Sequence, residues 1–259
     1  MAVRSMLIHT SRKAIFYSDG LLFYEQPVFG DQQSMSYDEF DPKNARTSCE
    51  QCSACCTGGG PILRFADAHL VRSGAIASKD LYTVRKGELM FDRDTIKMVP
   101  VRTDLIKIKV NKDDLTCTFL KDGKTCEIYD TRPSECRAFK CWDTKEIEMK
   151  YDEDPLERAD LLSDVEGLWN LITDHQERCS YERMSELAER LKDDKTGEIL
   201  AAINEIIAFD LSLRDTLVEK GKVNPEMLSF LLGRPFTETM AMFNLKIVEK
   251  NGAYVLDHV

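Results

Sequence analysis

The sequence predicts an α+β protein: a cysteine-cluster domain with short antiparallel strands and short helices, followed by a helical bundle region and a terminal hairpin. Three observations predict it. Eight of the nine cysteines fall between Cys49 and Cys141. Turn dipeptides and strand-like alternation fill the same window, as in 105–110 (LIKIKV) followed by Asp122-Gly123. From Pro155 onward, apolar residues recur at helical spacing instead. The expected divisions are 1–48, an N-terminal hairpin and arm; 49–150, the cysteine-cluster domain; and 151–259, the helical region with its C-terminal hairpin.

Residues 14–24 (AIFYSDGLLFY) read as two short strands around an Asp19-Gly20 turn. Residues 25–48 are polar and turn-rich, and read as an arm leading to the cysteines. After Cys56 comes Thr57-Gly58-Gly59-Gly60-Pro61, which lets the chain pass close to something bulky, such as a metal centre, or gives plain loop freedom. It lacks the Gly-Lys-Ser/Thr or G-x-G-x-x-G pattern of a phosphate loop. Ile62 to Phe65 suit a short strand. Asp67 is placed to cap a helix ending near Arg72, with Gly74 as its stop. Residues 105–110 form a strand with lysines on one face, and 115–120 return as a second strand carrying Cys117. The Asp122-Gly123 turn precedes Cys126. Pro133 suits the first turn of a helix through Cys136, capped by Asp130 or Thr131.

In the second half, Leu156, Leu161, Leu162, Val165, Leu168, Trp169 and Ile172 keep helical spacing. Further helices are expected over 181–191, over 196–219 with Gly221 as its stop, and from Asn224-Pro225 to Gly233. On the third, Ile199, Leu200, Ile203, Ile206, Ile207, Leu211 and Leu217 share one side. Strands over 245–249 and 253–256 flank an Asn251-Gly252 turn, a hairpin signature.

The chain of 259 residues carries a net charge of −10. That balance argues against general affinity for nucleic acid backbones. No apolar run reaches the length of a membrane span, and 1–10 lacks the apolar stretch of a secretory signal. The expectation is a cytoplasmic protein, where structural disulfides are rare. An odd cysteine count also suits a disulfide framework poorly.

Thiols packed this densely point to a metal. The run Cys49-Glu50-Gln51-Cys52-Ser53-Ala54-Cys55-Cys56 is C-x-x-C-x-x-C-C. Cys49, Cys52 and Cys55 would supply three thiolates from one tight loop, the spacing that wraps an iron–sulfur cube with a distant cysteine closing it. The tandem Cys56 is expected to point elsewhere, toward a second site or as a spare thiol. Cys117, Cys126, Cys136 and Cys141 are not spaced as the second knuckle of a zinc ribbon. Spacing therefore favours a [4Fe–4S] cluster over zinc, although both accept four thiolates. The sequence does not divide the eight cysteines between one site and two. Arg132 and Arg137, beside the last thiols, are candidates to offset thiolate charge and donate hydrogen bonds to sulfur.

The run CEQCSACC, then Pro61-Ile62-Leu63 and Asp67, then Cys117, Cys126, Tyr129, Arg132, Pro133, Cys136, Arg137 and Cys141, resembles the CxxCxxCC cysteine-cluster family. This is the YkgJ-type group of zinc- or iron-chelating domains, and the flagellin lysine N-methylase carries a similar cysteine region. The resemblance covers about 49–141 and implies metal binding at the matching cysteines. It does not fix a reaction.

Three functions follow as expectations. The first is a metal-binding accessory or maturation protein acting through a protein partner. The second is an enzyme of the methylase or redox sort, although no nucleotide fingerprint and no radical-type C-x-x-x-C-x-x-C is present. The third is a zinc-stapled interaction module. Outside the cluster, His69 is a surface residue or an extra ligand, and Trp142 a shield for the site or a core residue. Cys179 reads as a semi-buried reduced thiol, and His9, His175 and His258 as residues without a cysteine or carboxylate pattern around them.

Overall fold

The computed structural model describes residues 47–49, 53–92, 96–140, 142–143, 145–151, 153–250 and 253–258, together with the strand residues 15–16 and 22–23. Cys52, Cys141 and the arm over 25–46 lie outside the described residues. The mixed α+β class is the one observed. Near the N-terminus, β1 (Ile15–Phe16) pairs antiparallel with β2 (Leu22–Phe23), as the Asp19-Gly20 signal predicts.

A 3-10 turn over Phe65–Asp67 runs into α1 (Ala68–Arg72). Then β3 (Leu81–Val84), β4 (Leu89–Asp92), β5 (Lys97–Pro100) and β6 (Leu105–Ile108) follow. β4 and β5 form a hairpin, while β3 pairs antiparallel with β6 from Leu81↔Ile108 to Val84↔Leu105. The other edge of β6 is also used. Leu63 N donates to Ile106 O (2.8 Å) and Ile108 N donates to Pro61 O (3.2 Å). Leu63 O in turn accepts Leu156 N at 2.9 Å. β6 is therefore the central strand that ties the segment after the glycines to the start of the helical half. Gly60 makes this possible. A Cβ there would lie 1.8 Å from Ile108 O, so the close approach that the glycine run permits is to a strand backbone.

The chain then forms β7 (Leu120–Lys121) and β8 (Thr125–Cys126), joined through Asp122 (φ 50°) and Gly123 (φ 66°). Positive φ at both positions is the hairpin geometry that Asp-Gly favours. The second strand expected over 115–120 is reduced to a single Val110↔Cys117 bridge, since Leu115 turns left-handed (φ 59°). Next come α2 (Ser134–Ala138) and α3 (Lys145–Lys150). Neither Asp130 nor Thr131 caps α2. Both sit in a 3-10 turn over Tyr129–Thr131, and the helix starts only after Pro133, which precedes its first turn.

The helical half contains α4 (Arg158–Leu162), α5 (Glu166–Arg178), α6 (Tyr181–Leu191), α7 (Glu198–Glu219), α8 (Leu228–Leu231) and α9 (Phe236–Thr239). It closes with β9 (Leu245–Lys250) paired to β10 (Ala253–His258). Ser180 Oγ accepts Arg183 N at the start of α6 (3.0 Å), and Asp194 accepts Ile199 N and Leu200 N at the start of α7.

Two apolar clusters hold these pieces. The first combines Leu63, Leu70, Ile76, Leu81, Ile106 and Ile108 with Leu156, Ile172 and Phe230 to Leu232, so the cysteine half and the helical half share it. The second joins α6 (Met184, Leu187), α7 (Ile203, Ile206, Ile207), Phe236, Met240 and Leu245. Burying one such aliphatic side chain is worth about 1.5–3 kcal/mol. The buried stripe of α7 continues through Asp210 and Arg214, whereas Leu200 faces outward.

Candidate metal centre

Ser53 adopts a left-handed conformation (φ 59°) and leads into a 3-10 turn over Ala54–Cys56, closed by Cys56 N donating to Ser53 O (2.8 Å). A non-glycine residue in that region costs about 1–2 kcal/mol. The turn places the Cys55 and Cys56 sulfurs 3.9 Å apart. This corrects the expectation that Cys56 points away from its neighbour. The tight turn curls the chain, so the period of alternation that would separate adjacent side chains in a strand does not apply.

Two further segments are brought to this turn. Cys117 N donates to Cys56 O at 2.7 Å, and Leu120 N donates to Cys117 O at 2.9 Å. Cys126 faces Leu120 across the β7–β8 pair. α2 contributes Cys136. Ser134 and Glu135, the two residues before it, are buried and bonded to residues 62–67.

The thiols feel one another. A hydrogen bond from Cys56 lowers the Cys55 thiol to about 6 against the opposing effect of burial, and the charge of Arg132 lowers it further. Cys56 is pushed up by that same bond, then by burial and by repulsion from Cys55, Cys117 and Cys126. Burial raises Cys117, and Cys126 and Cys55 add to it. Burial likewise raises Cys136, with repulsion from Cys117, Cys55 and Cys126. Cys55, Cys56, Cys117, Cys126 and Cys136 are therefore within electrostatic reach of one another, although among the described residues no three of their sulfurs lie within 4.8 Å of each other. Cys49 is exposed at the edge of the described segment.

Several thiolates this close cannot all ionise without a cation among them, and a bound metal keeps coordinating thiols deprotonated. The spacing fits one. Bonds of about 2.3 Å in a tetrahedral zinc site put neighbouring sulfurs about 3.8 Å apart, close to the Cys55–Cys56 separation of 3.9 Å.

Arg132 stacks on Tyr129, its Cζ 3.5 Å from the ring centroid, and its Nε donates to Tyr129 O at 2.7 Å. Arg137 donates to Arg132 O and lies 3.8 Å from Asp67. The first arginine is electrostatically coupled to Cys55, and the second braces the backbone around Pro133. His69 Nδ1 bonds to Ala66 O at 2.8 Å, and Trp142 is exposed.

A second cluster was not foreseen. His175, Cys179 and Asp210 are fully buried, with potential ligand atoms all within 4.8 Å of one another. Asp210 is already committed to His175 Nε2 (2.8 Å), Arg214 Nε (2.8 Å) and Phe236 N (3.1 Å). The neighbouring guanidiniums of Arg85 and Arg214 oppose a cation there. The cluster is a buried carboxylate in the second core, paired with Arg214 and hydrogen-bonded to a neutral His175. The His175 and Cys179 pair, four apart across the C-terminal end of α5, was a usable signal; Asp210 was not.

Residues 48–155 match the sequence model of the CxxCxxCC family, described as a "putative zinc- or iron-chelating domain". This segment is similar to the CxxCxxCC domains. No solved structure matches the chain. The matched segment includes Cys55, Cys56, Cys117, Cys126 and Cys136 and the residues that brace the turns around them, while His175, Cys179 and Asp210 lie beyond it. Among the described residues, no helix is long and apolar enough to cross a membrane.

Proposed function

We propose that the protein is a metal-binding accessory or maturation protein, which holds an iron–sulfur cluster on its CxxCxxCC thiolates and acts on a protein partner in the cytoplasm. One observation supports the metal centre: thiols from the 54–56 turn, from the 117–126 unit and from α2 lie within electrostatic reach of one another. The C-x-x-C-x-x-C spacing of Cys49, Cys52 and Cys55 supports a cluster as the occupant, with Cys141 as a further thiolate. Arg132 and Arg137 would offset the negative charge of such a site.

Zinc is the second reading, and a specific observation favours it. The 3.9 Å between the Cys55 and Cys56 sulfurs is the edge of a single tetrahedral ion. Each iron of a cube takes one thiolate, which sets the cysteine sulfurs of one cube further apart than that.

Anaerobic purification followed by visible absorption and analysis of iron, acid-labile sulfide and zinc tests the choice. A brown protein with equal iron and sulfide supports the cluster. A colourless protein with stoichiometric zinc overturns it in favour of the second reading.

A further inference from the structure

Resting on the metal reading, we propose that Glu135 and Asp67 are positioning residues that fix the direction of α2, and so of Cys136, relative to the chain that leaves the Cys55–Cys56 turn, before any metal arrives. Glu135 accepts Ile62 N at Oε2 (2.8 Å) and the Arg64 fork, Nε and Nη2, at Oε1 (3.0 and 2.5 Å). Asp67 accepts Ser134 N at Oδ1 (2.9 Å), and Ser134 Oγ and Arg64 N at Oδ2 (2.8 and 3.0 Å). Two successive residues of α2 are thus fixed to 62–67, and the next residue is Cys136. The same 62–67 segment follows the glycine run after Cys56 and is pinned to β6 through Leu63 N and Ile106 O.

The clamp has a reason beyond stability. α2 has five residues, too few to hold itself as a helix, so external bonds must set its direction. Asp67 is 0% and Glu135 8% exposed; the buried Arg64 guanidinium pairs with Glu135, while the cation near Asp67 is the more exposed Arg137 at 3.8 Å. Packing two carboxylates there costs more than apolar residues would, and what the bonds supply is orientation. Small zinc domains that fold only with metal set their ligands the other way round. Here the direction of α2, and with it the start of the Cys136 side chain, is set by bonds that contain no sulfur.

The test uses the full chain stripped with a chelator, with Glu135→Ala, the milder Ser134→Ala, and Thr239→Val as control. Thr239 is equally buried, but its hydroxyl bonds Tyr181 in the second core. Cobalt(II) titration followed by thiolate-to-metal absorption gives affinity. Iodoacetamide labelling mapped by mass spectrometry gives the accessibility of Cys136 without metal. Glu135→Ala should bind cobalt at least tenfold more weakly and expose Cys136 at least tenfold faster. Ser134→Ala should move both readings the same way by less. Thr239→Val should lower the melting temperature and move neither. If Glu135→Ala does not fold, Ser134→Ala decides. A wild-type chain that binds no cobalt overturns the metal reading itself and the positioning with it. A wild type that binds cobalt, beside clamp variants that bind it equally well or a control that loses as much, overturns the positioning alone.

Discussion

The sulfurs of Cys55 and Cys56 stand 3.9 Å apart, held there by a turn that begins at a left-handed Ser53. Adjacent thiols aimed at one place should act together on the metal. Cys55→Ser and Cys56→Ser are each expected to weaken binding by at least about a hundredfold, the upper end of the loss seen when only an outer partner is removed. Cys179→Ser should leave it unchanged, because that thiol is sealed in the second core and burial pushes it up to about 12. Metal content after dialysis against a graded chelator checks all three.

Gly60 separates two kinds of glycine in the run after Cys56. A Cβ there would meet Ile108 O at 1.8 Å, and a strand backbone cannot yield as a flexible side chain can. Gly60→Ala should cost about 3 kcal/mol, the upper part of the overpacking range, and should lower metal affinity by shifting the turn that carries Cys56. At Gly58 a Cβ meets nothing within 4 Å and φ is not positive. Gly58→Ala should stay within about 0.5 kcal/mol of wild type. Urea midpoints and the chelator series on both variants test the contrast.

What was legible in the sequence was local. The Asp122-Gly123 turn, the long stripe of α7 and the Asn251-Gly252 hairpin each announce themselves within a few residues, and each is present. The pairing of β3 with β6 was not legible, since the alternation over 76–100 is weak and the partners are distant in sequence. Asp67 shows the limit most clearly. As an N-cap candidate it should bond its own helix, yet it reaches back to Arg64 and across to Ser134, sixty-seven residues on. The cysteine cluster could be found from spacing, but the direction of the Cys56 side chain depends on the backbone of one turn. Spacing alone contains no such information.

Arg85 and Gly233 make a second tight fit, in the core away from the cysteines. Arg85 is fully buried over the rings of Tyr181 and Phe236 (4.6 and 5.3 Å), with Nε and Nη2 lacking a hydrogen-bond partner. Those rings, with Cys179 O and Gln176 Oε1, which accept Nη1 at 2.9 and 3.5 Å, stand around its charge in place of a carboxylate. Gly233, at φ 72°, lets the chain cross its aliphatic stem; a Cβ would lie 2.6 Å from Cγ. Gly233→Ala meets both a strained backbone and an immovable neighbour, and should destabilise by about 2–4 kcal/mol. A melting curve of the variant measures it, and metal affinity should stay the same.

His175 gives the protein a calculable response to acid. Burial lowers its pKa from 6.5 to about 4, and although the bond to Asp210 pulls the other way, the charges of Arg85 and Arg214 reinforce the drop. The folded state thus keeps the ring neutral where an unfolded chain would protonate it. Between pH 6.5 and about 4 the unfolded state binds more protons, so stability is complete above that window and falls as pH drops through it. A shift of this size corresponds to about 3 kcal/mol across the window. Asp210, held below its ordinary value by His175 and Arg214 despite burial, adds a further loss only at lower pH, as its own carboxyl takes up a proton. Urea midpoints of the metal-free chain from pH 7.5 to 4.5 should therefore decline steadily below 6.5. In His175→Gln the chain is less stable throughout, because Asp210 loses a partner, but the decline between 6.5 and 4.5 should largely vanish. A variant that keeps the full slope would place the acid sensitivity elsewhere, among the carboxylates.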